Sequence, residues 1–487
     1  MKKPTYIDLF AGCGGLSLGL ERAGFELALA VEKSDMAAET FYHNFIERIR
    51  EKEDWKKFCA LPVRKQAEKK LIVGPVSDLL NDKILLKRLK DQKIDLIAGG
   101  PPCQGFSLAG RRNPDDIRNE LPWQFLDIVK AVQPRAVIIE NVVGMSHDFV
   151  KHDRQSPFDQ LKKALELIEP GYVAQQVQFN AMHFGAPQHR PRVMILALRS
   201  DLAGDFTFFD GIWRSDFDES KAYENKRPDI APVAHYFGDR IKTVHDAIWD
   251  LKDTGYRFAA DHDKYFEPDG SVARDLRQDR VWMPEKIRQV NDAGKLQNHV
   301  LRKHNEQIQK RFRLYQVLRD YNLASTILNI PKRNDEATAT ELLKHALQKT
   351  KSEEFVAPDG TVIAKNKAGL IKLIMELGTK KHSQRPLRWD APSPTVVSLP
   401  DDFVHPQLPR TLTVRELARF QSFPDSFVFR AKETTGSHRR RFEVPQYTQV
   451  GNAVPPIMAE AVGKRFKQIL QGTAQVKKDG RKRKIAA

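Results

Sequence analysis

The stretch Tyr6 to Gly15, YIDLFAGCGG, carries a short apolar run into a turn with three glycines, and residues 16–23 follow with helical spacing. A strand that passes through glycine straight into a helix has few folds open to it. The helix must lie back across the strand, and repeating that unit builds a sheet of mostly parallel strands. Further apolar runs of strand length occur at 27–31, 94–98, 136–139 and 193–197, each between helical or loop segments. The expected fold class is therefore α/β, a mainly parallel sheet with helices on both faces. Such sheets bind ligands beyond the carboxyl ends of their strands, and nearly every unusual loop here follows one of those runs.

The units occupy residues 1–199, interrupted at about 46–74 by a highly charged stretch, ERIREKEDWKKF and onwards, that reads as a helical surface insertion. Residues 200–384 follow no regular alternation. They carry scattered aromatics such as Trp213, Tyr236, Phe237 and Trp249, and a basic helical stretch at 301–351, so a second, smaller domain is expected there. Patterned helices return over 385–470. One spans 412–421, with Thr413 and Glu416 as a capping box, and one spans 454–470, with Pro455 and Pro456 in its first turn. Residues 471–487 form a basic tail.

Lys and Arg number 80 against 63 Asp and Glu, a formal charge of +17. That excess favours a polyanionic partner, because each neutralised phosphate releases a counterion. No apolar run approaches the roughly 18 residues that span a membrane, and the N-terminus lacks a signal peptide's apolar core. A cytoplasmic protein without membrane partners is expected. The three cysteines, Cys13, Cys59 and Cys103, stand in unlike contexts. They make no disulfide framework and no zinc spacing, so no metal is expected, and chemistry at sulfur would come from one thiol acting alone.

Gly12, Gly14 and Gly15 let the backbone turn tightly and approach a ligand. Glu32, twenty residues after Gly12, ends the next strand, where a carboxylate can accept from two ribose hydroxyls. A nicotinamide enzyme would show a similar layout. Two details point elsewhere: Ser17 stands where a third glycine would, and the loop opens with Asp8 and Phe10, a carboxylate and an aromatic wall. A ligand with an amino-acid end and an adenosine end suits that pair. Asp78 is placed to reach an adenine amino group or, alternatively, to serve as a helix N-cap.

IDLIAGGPPCQGFS ends a strand and forces a rigid loop through Gly99, Gly100, Pro101 and Pro102, delivering Cys103 at the strand's carboxyl end. Lone cysteines are usually small buried hydrophobes, but this setting argues for a nucleophile. Glu140 and Asn141 end another apolar strand; a carboxyl group there has its pKa raised and acts as a proton donor, unless an arginine takes it as a structural partner. Gln188, Arg190 and Arg192 alternate just before a strand, which puts them on one face, able to hold a base carbonyl, a phosphate and Glu140 together. Near 385–398, Arg385, Arg388, Thr395 and Ser398 are candidates to meet phosphates or are ordinary loop polarity.

FAGCGG, GGPPCQGFS, ENV, QHRPR and GNAVPP occur together in that order, and with them the chain resembles the cytosine-5 DNA methyltransferase family over roughly 1–200 and 385–470. The resemblance implies a Rossmann-like, S-adenosylmethionine-dependent methyltransferase whose residues 200–384 are a target-recognition domain. It implies that Phe10, Glu32, Asp78, Pro102, Leu121 and Asn452 contact S-adenosyl-L-methionine, beside Asp8 and the glycines Gly12, Gly14 and Gly15. Cys103 matches the nucleophile, Glu140 the acid that binds N3 of the base, and Arg192 the arginine supporting both, with Gln188 and Arg190 as organising neighbours. Ser107 to Arg118 matches a catalytic loop closing over DNA, so Ser107, Arg118 and Thr395 are expected DNA contacts. RTLTVRELARFQSFPD resembles the motif that orients the recognition domain. One departure is Lys33, where the family often carries a residue that stacks on adenine.

The implied reaction explains the thiol. Carbon 5 of cytosine is a poor nucleophile, and addition of a thiolate at carbon 6 converts it into an enamine carbon. Double-stranded DNA is the implied partner, met by a monomer in the cytoplasm, near the nucleoid, with a cognate restriction endonuclease acting separately. An RNA cytosine-5 methyltransferase acting on tRNA and a catalytically inactive DNA-binding regulator remain alternatives.

Overall fold

The computed structural model describes residues 2–102, 120–146, 156–215, 227–251, 272, 275–276, 296–381, 383–436, 439 and 442–472. Eight strands form one sheet in the order β3-β2-β1-β4-β5-β7-β6-β8. They are β1 (Thr5–Leu9), β2 (Glu26–Glu32), β3 (Leu71–Val73), β4 (Leu96–Gly99), β5 (Ala136–Asn141), β6 (Tyr172–Asn180), β7 (Pro191–Arg199) and β8 (Ile212–Arg214). All neighbours are parallel except β7, which runs antiparallel to both β5 and β6. This is the Rossmann-like, mainly parallel sheet expected from the strand–helix alternation.

Alternation along each strand fills two cores. Tyr6 of β1 and Leu96 and Ala98 of β4 pack into one face, while Ile7, Leu9 and Ile97 pack into the other. The core of the first face also takes in Ile230, Val244, Ile248 and Trp249. A third core lies apart: Phe312, Tyr315, Leu328, Leu343, Phe355, Leu370 and Ile374 gather helices Glu306–Asp320, Glu336–Ala346 and Lys367–Leu377 around a hairpin of Phe355–Val356 and Val362–Ala364. The basic stretch at 301–351 is thus two helices, capped by Asn305 and Asp335, separated by a 3-10 segment containing Pro331.

The charged stretch after residue 46 forms helices Lys52–Cys59 and Val63–Glu68, and Leu71–Val73 beyond them is the sheet's edge strand. Trp55 and Phe58 are buried against Tyr42 of helix Asp35–Phe45, so the insertion is anchored by aromatic packing. At the other end of the chain, helix Pro456–Leu470 lies against helix Gly15–Ala23. A Cβ on Gly19 would fall 2.4 Å from that of Ala459, and one on Gly463 would fall 2.8 Å from that of Ala23. Glycine at both positions lets the helices meet closely, which brings the turn after Gln446–Asn452 beside the glycine loop. Among the described residues no helix is long and apolar enough to cross a membrane.

Candidate active site

Both ends of the site lie at the carboxyl edge of the sheet. At the β1–β2 end, Phe10, Gly12 and Gly14 have positive φ of 60°, 56° and 99°. The turn is held by the Gly12 amide, which donates to Glu32 Oε2 at 2.8 Å, and the Ser34 amide, which donates to Glu32 Oε1 at 2.7 Å. Each carboxylate oxygen thus accepts a backbone hydrogen bond, and a carboxylate oxygen can accept more than one, so a ligand hydroxyl could be added. Burial pushes the Glu32 carboxyl up while these amides pull it down.

The glycines differ in what they do. A Cβ on Gly12 would meet nothing within 4 Å, so this position faces open space. On Gly14 it would fall 2.3 Å from the Phe45 ring, and on Gly15 it would fall 2.3 Å from the Val454 carbonyl oxygen. Those two glycines serve packing, and only Gly12 matches the expected close approach of a ligand to the backbone.

Asp8 is fully buried. The Ser17 hydroxyl donates to its Oδ2 at 2.6 Å, while Oδ1 has no hydrogen-bond partner, and desolvation raises the carboxyl to about 7. A buried, half-satisfied carboxylate at a strand end suits a cationic ligand group. Phe10 and Leu121 are both partly buried against the same core. Asp78 occupies the third residue of helix Val76–Asn81, whose N-cap is Pro75, so the alternative reading of Asp78 as N-cap is excluded. Pro102 is half-buried, and Asn452 is exposed at the end of its helix. These residues fit a ligand with an adenosine end and an amino-acid end: an unpartnered buried carboxylate for an ammonium, a pinned carboxylate for a diol, and an open glycine between them.

At the β5 end, the reversal of β7 decides the geometry. Because β7 is antiparallel, its first residues adjoin the last residues of β5, with Glu140 opposite Met194 and Asn141 opposite Val193. Arg192 Nε therefore lies 3.1 Å from Glu140 Oε1, with both side chains 11% exposed. Desolvation raises the Glu140 carboxyl, and the Arg192 and Arg190 charges hold it partly down. A Cβ on Gly100 would fall 2.9 Å from Glu140 Oε2, so glycine there keeps the carboxylate's face clear. Asn141 Nδ2 donates to the Pro101 carbonyl at 2.9 Å, tying the Gly-Pro-Pro turn to the end of β5. That role of Asn141 escaped the sequence reading, although its position beside Glu140 was the available signal.

The structure does not gather Gln188, Arg190 and Arg192 at one ligand. Gln188 donates to Phe420 O and Gln421 Oε1 and accepts from the Val396 amide. Arg190 is fully buried, donating to the carbonyls of Val396, Gly451 and Ala453 at 2.7–3.0 Å. Both bind main chain of distant segments, and of the three only Arg192 reaches Glu140. The reason is again register: Gln188 and Arg190 precede β7 and lie under the returning C-terminal segment. Thr395 donates its hydroxyl to the His189 carbonyl at 2.8 Å. Arg388 pairs with Asp390, and Arg385 lies over the Phe403 ring. Cys103, Ser107 and Arg118 lie outside the described residues. Among the described residues no group of three His, Cys, Asp or Glu is placed to hold a metal ion.

Helix Val414–Phe420 is the one that the capping box predicted, Thr413 and Glu416 closing it reciprocally. Glu416 is fully buried in a two-pronged pair with Arg410, whose charge holds its carboxyl at about 2 against the upward push of desolvation.

Comparison with known proteins gives the family. The family model for C-5 cytosine-specific DNA methylase matches residues 5–468. The chain is 30% identical over 498 residues to type II methyltransferase M.AgeI of Thalassovita gelatinovora, covering 95% of this chain and 98% of that protein. It is 28% identical to type II methyltransferase M.DdeI of Desulfomicrobium norvegicum, covering 94% and 88%. Its fold is similar to the crystal structure of a putative prophage-encoded DNA modification methyltransferase from E. coli, with a TM-score of 0.57, 23% identity, and coverage of 96% of this chain and 100% of that one. With the family matched over nearly its whole length, the chain belongs to the C-5 cytosine-specific DNA methylases and is a DNA (cytosine-5-)-methyltransferase.

Proposed function

We propose that the chain methylates carbon 5 of cytosine within a specific sequence of duplex DNA, through a covalent adduct at Cys103 with the base flipped out, as the modification half of a restriction-modification system. The observation that carries this reading is the Arg192–Glu140 pair at the end of β5, beside the turn that leads in sequence to Cys103.

S-adenosylmethionine, when bound, supplies an electrophilic methyl group on a sulfonium. Glu32 would hold its ribose and Asp8 its ammonium, with Phe10, Leu121, Asp78, Pro102 and Asn452 around the remainder. The protein's own work is on the base. The Cys103 thiolate adds to carbon 6, its electron pair forming the sulfur–carbon bond while the ring's double bond shifts toward carbon 5. Glu140, raised by burial, donates a proton to N3, and Arg192 fixes that carboxyl. After transfer, water takes the carbon-5 proton, the freed electron pair restores the double bond and expels the thiolate, and N3 returns its proton to Glu140. A carboxyl group only 9% exposed at a strand end cannot be reached by a base inside the duplex, so the cytosine must leave the stack at a cost of a few kcal/mol. The third core, with its helices and hairpin, is the part assigned to reading the flanking sequence. The chain would act as a monomer in the cytoplasm, with the endonuclease separate.

The test is a random-sequence duplex carrying 5-fluorocytosine, incubated with protein and S-adenosylmethionine. Fluorine does not leave as a proton does, so an adduct at Cys103 is expected, and sequencing trapped duplex reads out the target. Trapping on tRNA alone would overturn the DNA substrate, and no trapping on either would overturn the reaction.

A further inference from the structure

We infer that residues 385–396 are a strap that passes the seating of the third core to the Arg192–Glu140 pair, and that Arg319 is the positioning residue that sets the strap. The inference rests on the reading that the third core meets the duplex while Glu140 meets the flipped cytosine.

The strap lies on the boundary between two cores. Its Leu387, Trp389 and Val396 are buried in the core of the sheet's first face, whereas Val404, the register partner of Pro386, belongs to the third core. Extended pairing joins the two sides. Arg385–Pro386 runs parallel to Phe403–Val404, and the Leu387 amide donates to the Val404 carbonyl at 3.0 Å.

The third core grips this boundary through helix Glu306–Asp320. Gln316 and Arg319 stand three residues apart, which puts them on one face of that helix, and both end on main chain. Gln316 is fully buried and donates to the carbonyls of His405 and Leu408 at 2.8 and 2.9 Å. Arg319 reaches further: its Nη1 donates to the Pro406 carbonyl at 2.8 Å and also to the Leu387 carbonyl of the strap. Gln316 thus holds only the turn at 405–408, and Arg319 ties that turn to the strap. The Arg319 side chain is 16% exposed, so these charge-assisted bonds work largely out of water. Arg388 holds the Asp390 carboxyl of the strap below its ordinary range, and the Arg319 charge adds to that.

The far end of the strap is bonded to the approach to β7. The Ser393 amide donates to the Pro187 carbonyl at 2.9 Å, and the His189 amide donates to the Ser393 carbonyl at 2.8 Å. The Val396 amide donates to Gln188 Oε1 at 2.7 Å, and Arg190 donates back to the Val396 carbonyl at 3.0 Å. Arg192 follows, its Nε 3.1 Å from Glu140 Oε1. Between the ends, the Trp389 and Ala391 carbonyls accept from the His245 and Val244 amides at 3.1 and 2.9 Å, so the middle is fixed as well. A close-packed interior transmits displacement instead of absorbing it. A third core seated differently on its turn therefore moves the residues that lead into Arg192.

The experiment uses the full chain and the duplex recovered by 5-fluorocytosine trapping, remade with cytosine, in single-turnover transfer at saturating S-adenosylmethionine and duplex. Arg319→Ala should slow transfer by up to about 10²-fold, the loss that a misplacement of about 1 Å can cause from a distance, and leave S-adenosylhomocysteine affinity at the wild-type level. Gln316→Leu disturbs the same helix but no bond to the strap, so it should lower the melting temperature and spare the rate. Arg319→Lys keeps a charged donor on a long stem and should recover part of the rate; it carries the same comparison if Arg319→Ala does not fold. In an Arg192→Ala background, Arg319→Ala should cost nothing further, because a residue that acts through Arg192 has nothing left to position. A loss that multiplies with that of Arg192→Ala would overturn the inference. So would a loss confined to duplex affinity, or a Gln316→Leu rate as low as that of Arg319→Ala. A wild type that traps duplex beside an Arg319→Ala variant of unchanged rate would overturn the inference alone, and a wild type that traps no duplex would overturn the underlying reading with it.

Discussion

The β1–β2 end and the β5–β7 end of the site both bury a carboxyl group at the carboxyl edge of the sheet, yet they treat it differently. Asp8 has a hydroxyl on one oxygen and nothing on the other, and Glu32 is held by two backbone amides. Glu140 faces the Arg192 guanidinium. At the first end the hydrogen bonds to the carboxylates come from neutral donors, a hydroxyl and backbone amides, and the Lys33 charge helps to lower Glu32. The second supplies the cation itself, which under the proposed function suits a neutral base that can accept a proton. Under the proposed function the first end would take a charged cofactor and the second a base, the two set apart by which partners the chain provides.

The largest effect should come from breaking the second end. Arg192→Ala leaves Glu140 buried without its partner, and its already raised carboxyl moves further up. Methyl transfer at saturating cofactor should fall by about 10²–10⁴-fold, the range for a lost acid–base function. Binding of S-adenosylhomocysteine should stay near wild type. Single-turnover transfer and calorimetry read the two separately, and an equal loss in both would show that the ends are not independent.

The mirror experiment is Glu32→Gln, which keeps the shape and removes the charge. Hydrogen bonds to a charged group contribute about 1.5–3 kcal/mol, so S-adenosylhomocysteine affinity should drop by roughly 10- to 100-fold. Transfer at saturating cofactor should change little. A rate loss as deep as that of Arg192→Ala would blur the distinction.

Asp8→Asn tests the unpartnered carboxyl without any ligand. The Asp8 carboxyl is raised from its ordinary 3.8 to about 7. The folded protein then holds a proton that the unfolded chain has released. The group's favourable contribution is complete below about pH 3.8 and is lost as pH rises through 7. Asparagine has no such dependence, so the melting temperature of the variant should gain on wild type between pH 6 and 8. A constant difference over that window would mean that Asp8 is ionised throughout.

Much of this was legible in the sequence, for a physical reason. Five of the strands announce themselves as apolar runs, and a residue that ends such a run sits at the ligand edge by topology alone. Strand β6 was illegible because Gln175, Gln176 and Gln178 interrupt its apolar pattern; Gln175 and Gln176 are buried there, satisfied by the Gly211 carbonyl and Asp159. Strand β8 is three residues long, too short to stand out, and its Trp213 read as a scattered aromatic. The direction of β7 is not written in its own residues, so the sequence put Arg192 in the right company without the reason. Arg190 shows the opposite limit: its carbonyl partners lie more than 200 residues away, and a local alternation cannot separate a guanidinium that binds main chain from one that meets a carboxylate.

The smallest effect separates two glycines that the sequence treats alike. Gly12 has φ of +56° and open space where a side chain would point. Alanine there meets no atom and suffers only the left-handed backbone, about 1–2 kcal/mol. Gly15 is the reverse: its new Cβ would lie 2.3 Å from the Val454 carbonyl oxygen, which belongs to backbone and has to move. Gly15→Ala should therefore destabilise the fold more than Gly12→Ala and push the turn after Asn452 away from the loop. Gly12→Ala should instead reduce cofactor affinity by more than its small loss of stability accounts for, because the methyl group projects into the space left for the ligand. Melting curves with and without S-adenosylhomocysteine compare the two. If ligand raises the melting temperature of Gly12→Ala as much as that of wild type, the open face of Gly12 is not where the cofactor lies.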